Sequence, residues 1–172
     1  GAMSVSDRSV FTLAFHDQLF DVVFIDTPTP ANIEDLLVTI QQEAGNIAAF
    51  IYEPLVQGAG GMKMYSAALL DELLVAIKSK GIICIADEVM TGFGRTGKLF
   101  ASEYLNEKPD IICLSKGLTG GVMALGVTAC TNQIYQAYYD DDKVKTFFHG
   151  HSFTANPLAC TAALASLDLL DK

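Results

Sequence analysis

The 172 residues contain no tryptophan, and no apolar run approaches the roughly 18 residues of a membrane helix. No stretch has the charged, apolar, small-residue order of a secretory signal. Charge is also scarce. Only 18% of residues are charged, against about 25% in a typical soluble domain, and the shortage falls on the positive side. Eleven Lys and Arg face twenty Asp and Glu, for a net charge of −9. That balance excludes the broad phosphate-neutralising surface of a nucleic-acid binder. It leaves room for local anion binding by backbone N–H groups and hydroxyls. The four cysteines (Cys84, Cys113, Cys130, Cys160) show no CxxC spacing and sit in apolar runs. They read as reduced core residues of a cytoplasmic protein, not as metal ligands or disulfides, and no metal site is expected. There is no internal repeat and no linker.

What remains is apolar: 51% of the chain. So much for one domain's length predicts large faces waiting for further structure or a second subunit. Residues 1–21 read as a short helix end followed by a loop rich in aromatics, and the run 22–25 predicts a short strand. A helix is expected over 32–44 from the three-four spacing of Ile33, Leu36, Leu37 and Ile40. Next come a strand at 47–52 and a helix from Ser66 to about Lys80, ended by Gly81. Further strands are expected at 82–89, 110–114 and 124–130, with helices over 132–139 and from Pro157 onward. Strand, loop, helix and strand on this spacing make a βαβ unit, hence parallel pairing. Strands without polar alternation predict an α/β fold with a mostly parallel sheet and helices on both faces.

Two of these strands end in ionisable groups. Ile82-Ile83-Cys84-Ile85-Ala86-Asp87 delivers a carboxylate, and Asp110-Ile111-Ile112-Cys113-Leu114-Ser115-Lys116 delivers an amine into a glycine-rich turn. Such sheets bind ligands beyond the carboxyl ends of their strands, where Glu53 also lies. A lysine able to form a Schiff base and an aspartate able to hold a pyridine nitrogen protonated are what a pyridoxal phosphate (PLP) enzyme needs. Either alone is weak, since a lysine after a strand is commonly a solvated loop charge and an aspartate there is commonly a helix cap.

Four blocks strengthen the pair: Glu53-Pro54-Leu55-Val56-Gln57-Gly58-Ala59-Gly60-Gly61-Met62, Asp87-Glu88-Val89-Met90-Thr91-Gly92-Phe93-Gly94-Arg95-Thr96-Gly97, Ser115-Lys116-Gly117-Leu118-Thr119-Gly120-Gly121 and His149-Gly150-His151-Ser152-Phe153-Thr154-Ala155-Asn156-Pro157. In this order they resemble class III (ω-) aminotransferases, and their wording is nearest the branch that serves biotin synthesis. The resemblance implies a fold-type I enzyme, homodimeric and acting on small molecules, of which residues 1–172 are a central part of the large PLP-binding domain. It also implies that the N-terminal segment and small C-terminal domain lie outside these residues, and that Gly1-Ala2-Met3-Ser4 is natural chain.

By resemblance Lys116 is catalytic, Asp87 binds the ring nitrogen, and Val89 packs on the ring, although a plain core valine reads the same. Glu53 stands further out, or is a loop residue before Pro54. Arg95 and Gly150 face substrate, and Arg95 alone would read as a surface arginine. Ser152, with His151 before it, reaches the phosphate of the partner subunit's cofactor. The pair departs from a Pro-Thr common in the family, which leaves the amino donor open between S-adenosylmethionine and lysine. Another ω-aminotransferase, acting on ornithine or 4-aminobutyrate, and a piece inert on its own are the other readings.

Overall fold

A computed structural model describes all residues, 1–172. The helical stripe at Ile33, Leu36 and Ile40 forms α1 (Ile33–Glu43), whose three stripe residues are buried. Two short strands of the first crossover, β2 (Val56–Gln57) and β3 (Lys63–Met64), pair as a small hairpin after β1 (Ala49–Tyr52). Ser66 then caps α2 (Ala67–Ser79), its hydroxyl accepting from the Leu69 N–H. Leu70, Leu73, Leu74 and Ile77 of α2 are at most 1% exposed. At about 1.5–3 kcal/mol for each fully buried aliphatic side chain, this helix supplies much of the hydrophobic stabilisation. Lys80 closes it, and Gly81 at φ 74° turns the chain into β4 (Ile83–Asp87).

The main sheet runs in the order β1, β4, β5 (Ile111–Leu114), β6 (Val127–Cys130). The first three strands are parallel, as the βαβ spacing requires, and β6 joins antiparallel. Beyond β6 lie the short α3 (Asn132–Gln136) and α4 (Pro157–Leu170). Pro157 occupies the first turn of α4, and the Asn156 side chain accepts from the Leu158 and Ala159 N–H groups.

Alternation along β4 divides the sheet into two faces. Cys84 and Ala86 lie fully buried against α1 and α2 in one apolar cluster with Tyr52 and Ile82. On the other face Ile51 and Ile83 remain 37% and 38% exposed. Three sequence expectations need correction. Residues 22–25 form no strand, because nothing within the chain pairs with them; Phe24 instead lies under the Arg8 guanidinium, 5.4 Å from ring centroid to Cζ. A helix over 132–139 is cut to α3, which ends at Gln136. Of the four cysteines, all free, only Cys84 is a core residue; Cys113 and Cys160 are half-buried and Cys130 is exposed. No helix is long and apolar enough to cross a membrane.

Candidate active site

Glu53, Asp87 and Lys116 follow or end β1, β4 and β5, three strands adjacent in that order, so all three reach one rim of the sheet. The register pairs Asp87 with Cys113, and Lys116 stands three residues further along. With neighbouring strands about 4.8 Å apart, the acid and the amine come from side-by-side strand ends. Asp87 is half-buried and its Oδ1 accepts the Val89 N–H at 3.0 Å. Its Oδ2 accepts nothing within the chain. Lys116 is exposed, and its Nζ makes neither a hydrogen bond nor an ion pair.

Local sequence fixes the lysine's backbone. Ser115 is extended and its hydroxyl donates to the Leu125 carbonyl at 2.6 Å, tying the start of the turn to the approach to β6. Lys116 then takes φ 47°, and a short 3-10 helix, Lys116–Thr119, ends in the left-handed Gly120. Gly117 must be glycine. A Cβ there would sit 2.9 Å from the Cβ of Phe93. From the other side, Ser166 of α4 donates to the Gly117 carbonyl at 3.2 Å. The residue after the lysine is thus gripped between the loop that follows β4 and the helix α4.

Glu53 is half-buried, and its Oε2 accepts the Gly58 N–H at 2.9 Å. Its carbonyl receives the Tyr65 hydroxyl. Glu53 therefore shapes the turn after β1 in addition to lying at the rim. Arg95 is exposed, without partners of its own, on the loop that also carries Phe93. The Tyr104 hydroxyl holds that loop through the Thr96 carbonyl at 2.7 Å. The Cys113 thiol, opposite Asp87 in the register, has its pKa raised by burial first and by the Asp87 charge second, partly offset by a hydrogen bond with Thr128.

Gly150, His151 and Ser152 are exposed, and every hydrogen bond of their segment is local, such as His151 N–H to Thr154 Oγ1 at 2.9 Å. Within one chain nothing bonds this segment to the rim of Asp87 and Lys116. His149 and His151 share no bond, so the pair does not form a catalytic dyad here. Sequence reading passed over Glu88, which is fully buried and accepts three hydrogen bonds. The signal that could have exposed it is strand alternation: an acid beside Asp87 must point to the opposite side. No group of three or more His, Cys, Asp or Glu is placed to hold a metal.

A rim with an acceptor oxygen of Asp87 and the amine of Lys116 both unengaged matches the chemistry of a cofactor that offers a ring N–H and an aldehyde. Comparison with known proteins points the same way. The family profile described as Aminotransferase class-III matches residues 1–172. An adenosylmethionine-8-amino-7-oxononanoate aminotransferase of Synechococcus elongatus is 48% identical over 180 aligned residues, covering 99% of this chain and 42% of the relative. Its namesake in Geobacter sulfurreducens is 41% identical, covering 99% and 41%. The crystal structure of the Methanocaldococcus jannaschii protein of that name superposes with a TM-score of 0.91 at 38% identity, over 99% of this chain and 40% of that one. An amine transaminase of an uncultivated Pseudomonas species, solved in its PLP-bound form, gives 0.87 at 36%, over 99% and 42%. The chain spans about two fifths of the length of these relatives. Matched end to end by the family profile and superposed on solved aminotransferases, the chain belongs to the class III aminotransferase family.

Proposed function

We propose that the intact protein is a PLP-dependent transaminase that aminates 8-amino-7-oxononanoate to 7,8-diaminononanoate in biotin synthesis, with S-adenosylmethionine as donor. The observation that carries this reading is the arrival of Asp87 and Lys116 at adjacent strand ends, with one carboxylate oxygen and the amine free. The names borne by relatives at 41–48% identity support the substrate.

When bound, the cofactor supplies an electron-withdrawing ring that makes the α-hydrogen of a substrate amine acidic. Lys116 would hold the cofactor's aldehyde carbon through Nζ. Once released, it would accept and return a proton at Nζ during transfer of the amino group. Asp87 would keep the ring nitrogen's proton through its free oxygen, with Oδ1 engaged by Val89 N–H. Val89, on the same side of the chain as Asp87, would bound one ring face. Arg95 and Gly150 would line the substrate's approach, and Glu53 would steady the turn beside Asp87. Ser152 and the amides around His151 would bind the phosphate of the cofactor in the partner subunit of a homodimer. We also propose a cytoplasmic location, in keeping with four free cysteines.

The test is amino transfer to 8-amino-7-oxononanoate by the intact protein, with S-adenosylmethionine and lysine compared as donors. Replacing Asp87 by Ala should lower kcat by about 10²–10⁴-fold, the contribution of a group that controls a proton in the transition state. Turnover of ornithine or 4-aminobutyrate with no product from 8-amino-7-oxononanoate would reject the substrate. The likeness to the Pseudomonas amine transaminase favours that broader ω-amine specificity as the second reading.

A further inference from the structure

We infer that Glu88 is a positioning residue: it closes the loop 91–101 at its base and, through Phe93, sets the main chain of Lys116. Its activity readout rests on the function proposed above. Asp87 ends β4 and Glu88 follows it on the alternate side of the chain, turned away from the rim into a fully buried site. No Lys or Arg pairs with it there, and its two oxygens are satisfied by three hydrogen bonds. Thr91 Oγ1 donates to Oε2 at 2.7 Å, Ala101 N–H to Oε2 at 2.9 Å and Ser102 N–H to Oε1 at 2.7 Å. Thr91 begins the loop, Ala101 ends it and Ser102 follows directly. One carboxylate thus joins both ends.

The closed loop has a fixed shape. The Gly92 N–H donates to the Glu88 carbonyl at 2.9 Å, and a Cβ on Gly92 would lie 2.8 Å from that oxygen. Phe93 follows at φ 61°, its ring edge-on to Phe100 with centroids 5.6 Å apart. This geometry presses the Phe93 Cβ against Gly117, next to Lys116. Without Glu88 the two ends of the loop can separate, and Phe93 loses its support. The lysine's left-handed backbone then loses one of the two contacts that hold its neighbour.

The test compares Glu88→Gln, Phe93→Ala and the double variant in the intact protein. Gln keeps one acceptor oxygen but turns an NH₂ toward a backbone N–H, so at least one bond is lost. In the folded protein, trypsin cleavage after Arg95 and Lys98 should accelerate about tenfold in Glu88→Gln, as expected for one lost buried hydrogen bond of about 1.4 kcal/mol. The kcat should fall in both single variants with little change in KM. The double variant should be no slower than the worse single, because both act by one route. In protein stripped of cofactor, where Nζ is a free amine, labelling of Lys116 by trinitrobenzenesulfonate, read by mass spectrometry, should change in the same direction and degree in both singles. Should Glu88→Gln not fold, Thr91→Val removes a single bond and should give the same effects in smaller measure. Unchanged cleavage, or losses of kcat that multiply in the double variant, would overturn the inference. If the wild type transfers no amino group at all, the proposed function fails, while cleavage and labelling still decide the role of Glu88.

Discussion

Lys116 bears its side chain on a backbone at φ 47°, where a Cβ crowds the next carbonyl at a cost of about 1–2 kcal/mol. Such strain persists only where the surroundings impose it, here Ser115 on one side and Gly117 on the other. Lys116→Gly should therefore be inactive yet more stable, by about 0.5–1 kcal/mol after allowing for glycine's greater freedom when unfolded. Lys116→Ala should be equally inactive with no such gain, and urea denaturation of the two separates strain from chemistry. Cys84 gives a second residue-scale prediction. Burial first, and the Asp110 charge second, push its thiol from the model-compound value of 9.0 to about 11. Between those values the unfolded chain releases the proton and the folded chain keeps it. The stabilisation is thus complete below about pH 9 and lost as pH rises through about 11, at no more than ~1.4 kcal/mol per unit. A Cys84→Ala variant should show a flatter decline over that interval.

At the level of elements, two loops meet at Gly117, and one methyl group should be enough to part them. Gly117→Ala is expected to cost about 1–3 kcal/mol, the usual range for overpacking. Phe93→Gly in the same chain should recover part of it, since position 93 is already left-handed; thermal denaturation of the single and double variants checks this. Much of this scale is legible from sequence. Buried parallel strands read as unbroken apolar runs, so β4 and β5, and the acid and amine at their ends, stand out. The stripe of α1, the Ser66 cap and the Pro157 start of α4 are equally plain. Residues 22–25 have the composition of a strand, but a strand forms only against a neighbour, and composition cannot show that none is near. The antiparallel entry of β6 is hidden for the same reason. Glu88 escapes because two adjacent acids look like a solvated pair until the faces of β4 are known. Cys113 and Cys130 escape because burial depends on what covers a strand, not on the strand's own apolarity.

For the molecule as a whole, the position of Ser152 on a segment with only local bonds makes the proposed two-subunit site testable by mixing. Lys116→Ala and Ser152→Ala variants, unfolded and refolded together, should regain about one quarter of wild-type activity. In a twofold dimer about half of the pairs are mixed, and each mixed pair has one intact site. Activity no higher than that of Ser152→Ala alone would place all contributions within one chain. The four-stranded sheet also has two unlike borders, β1 and β6, each with a row of backbone groups that pair with nothing in the main sheet. Matching like borders would close a pair, but joining β1 of one copy to β6 of the next leaves fresh borders outside and can continue without limit. Prepared by itself, this 172-residue stretch should therefore be prone to ribbon growth, which light scattering at rising concentration would detect.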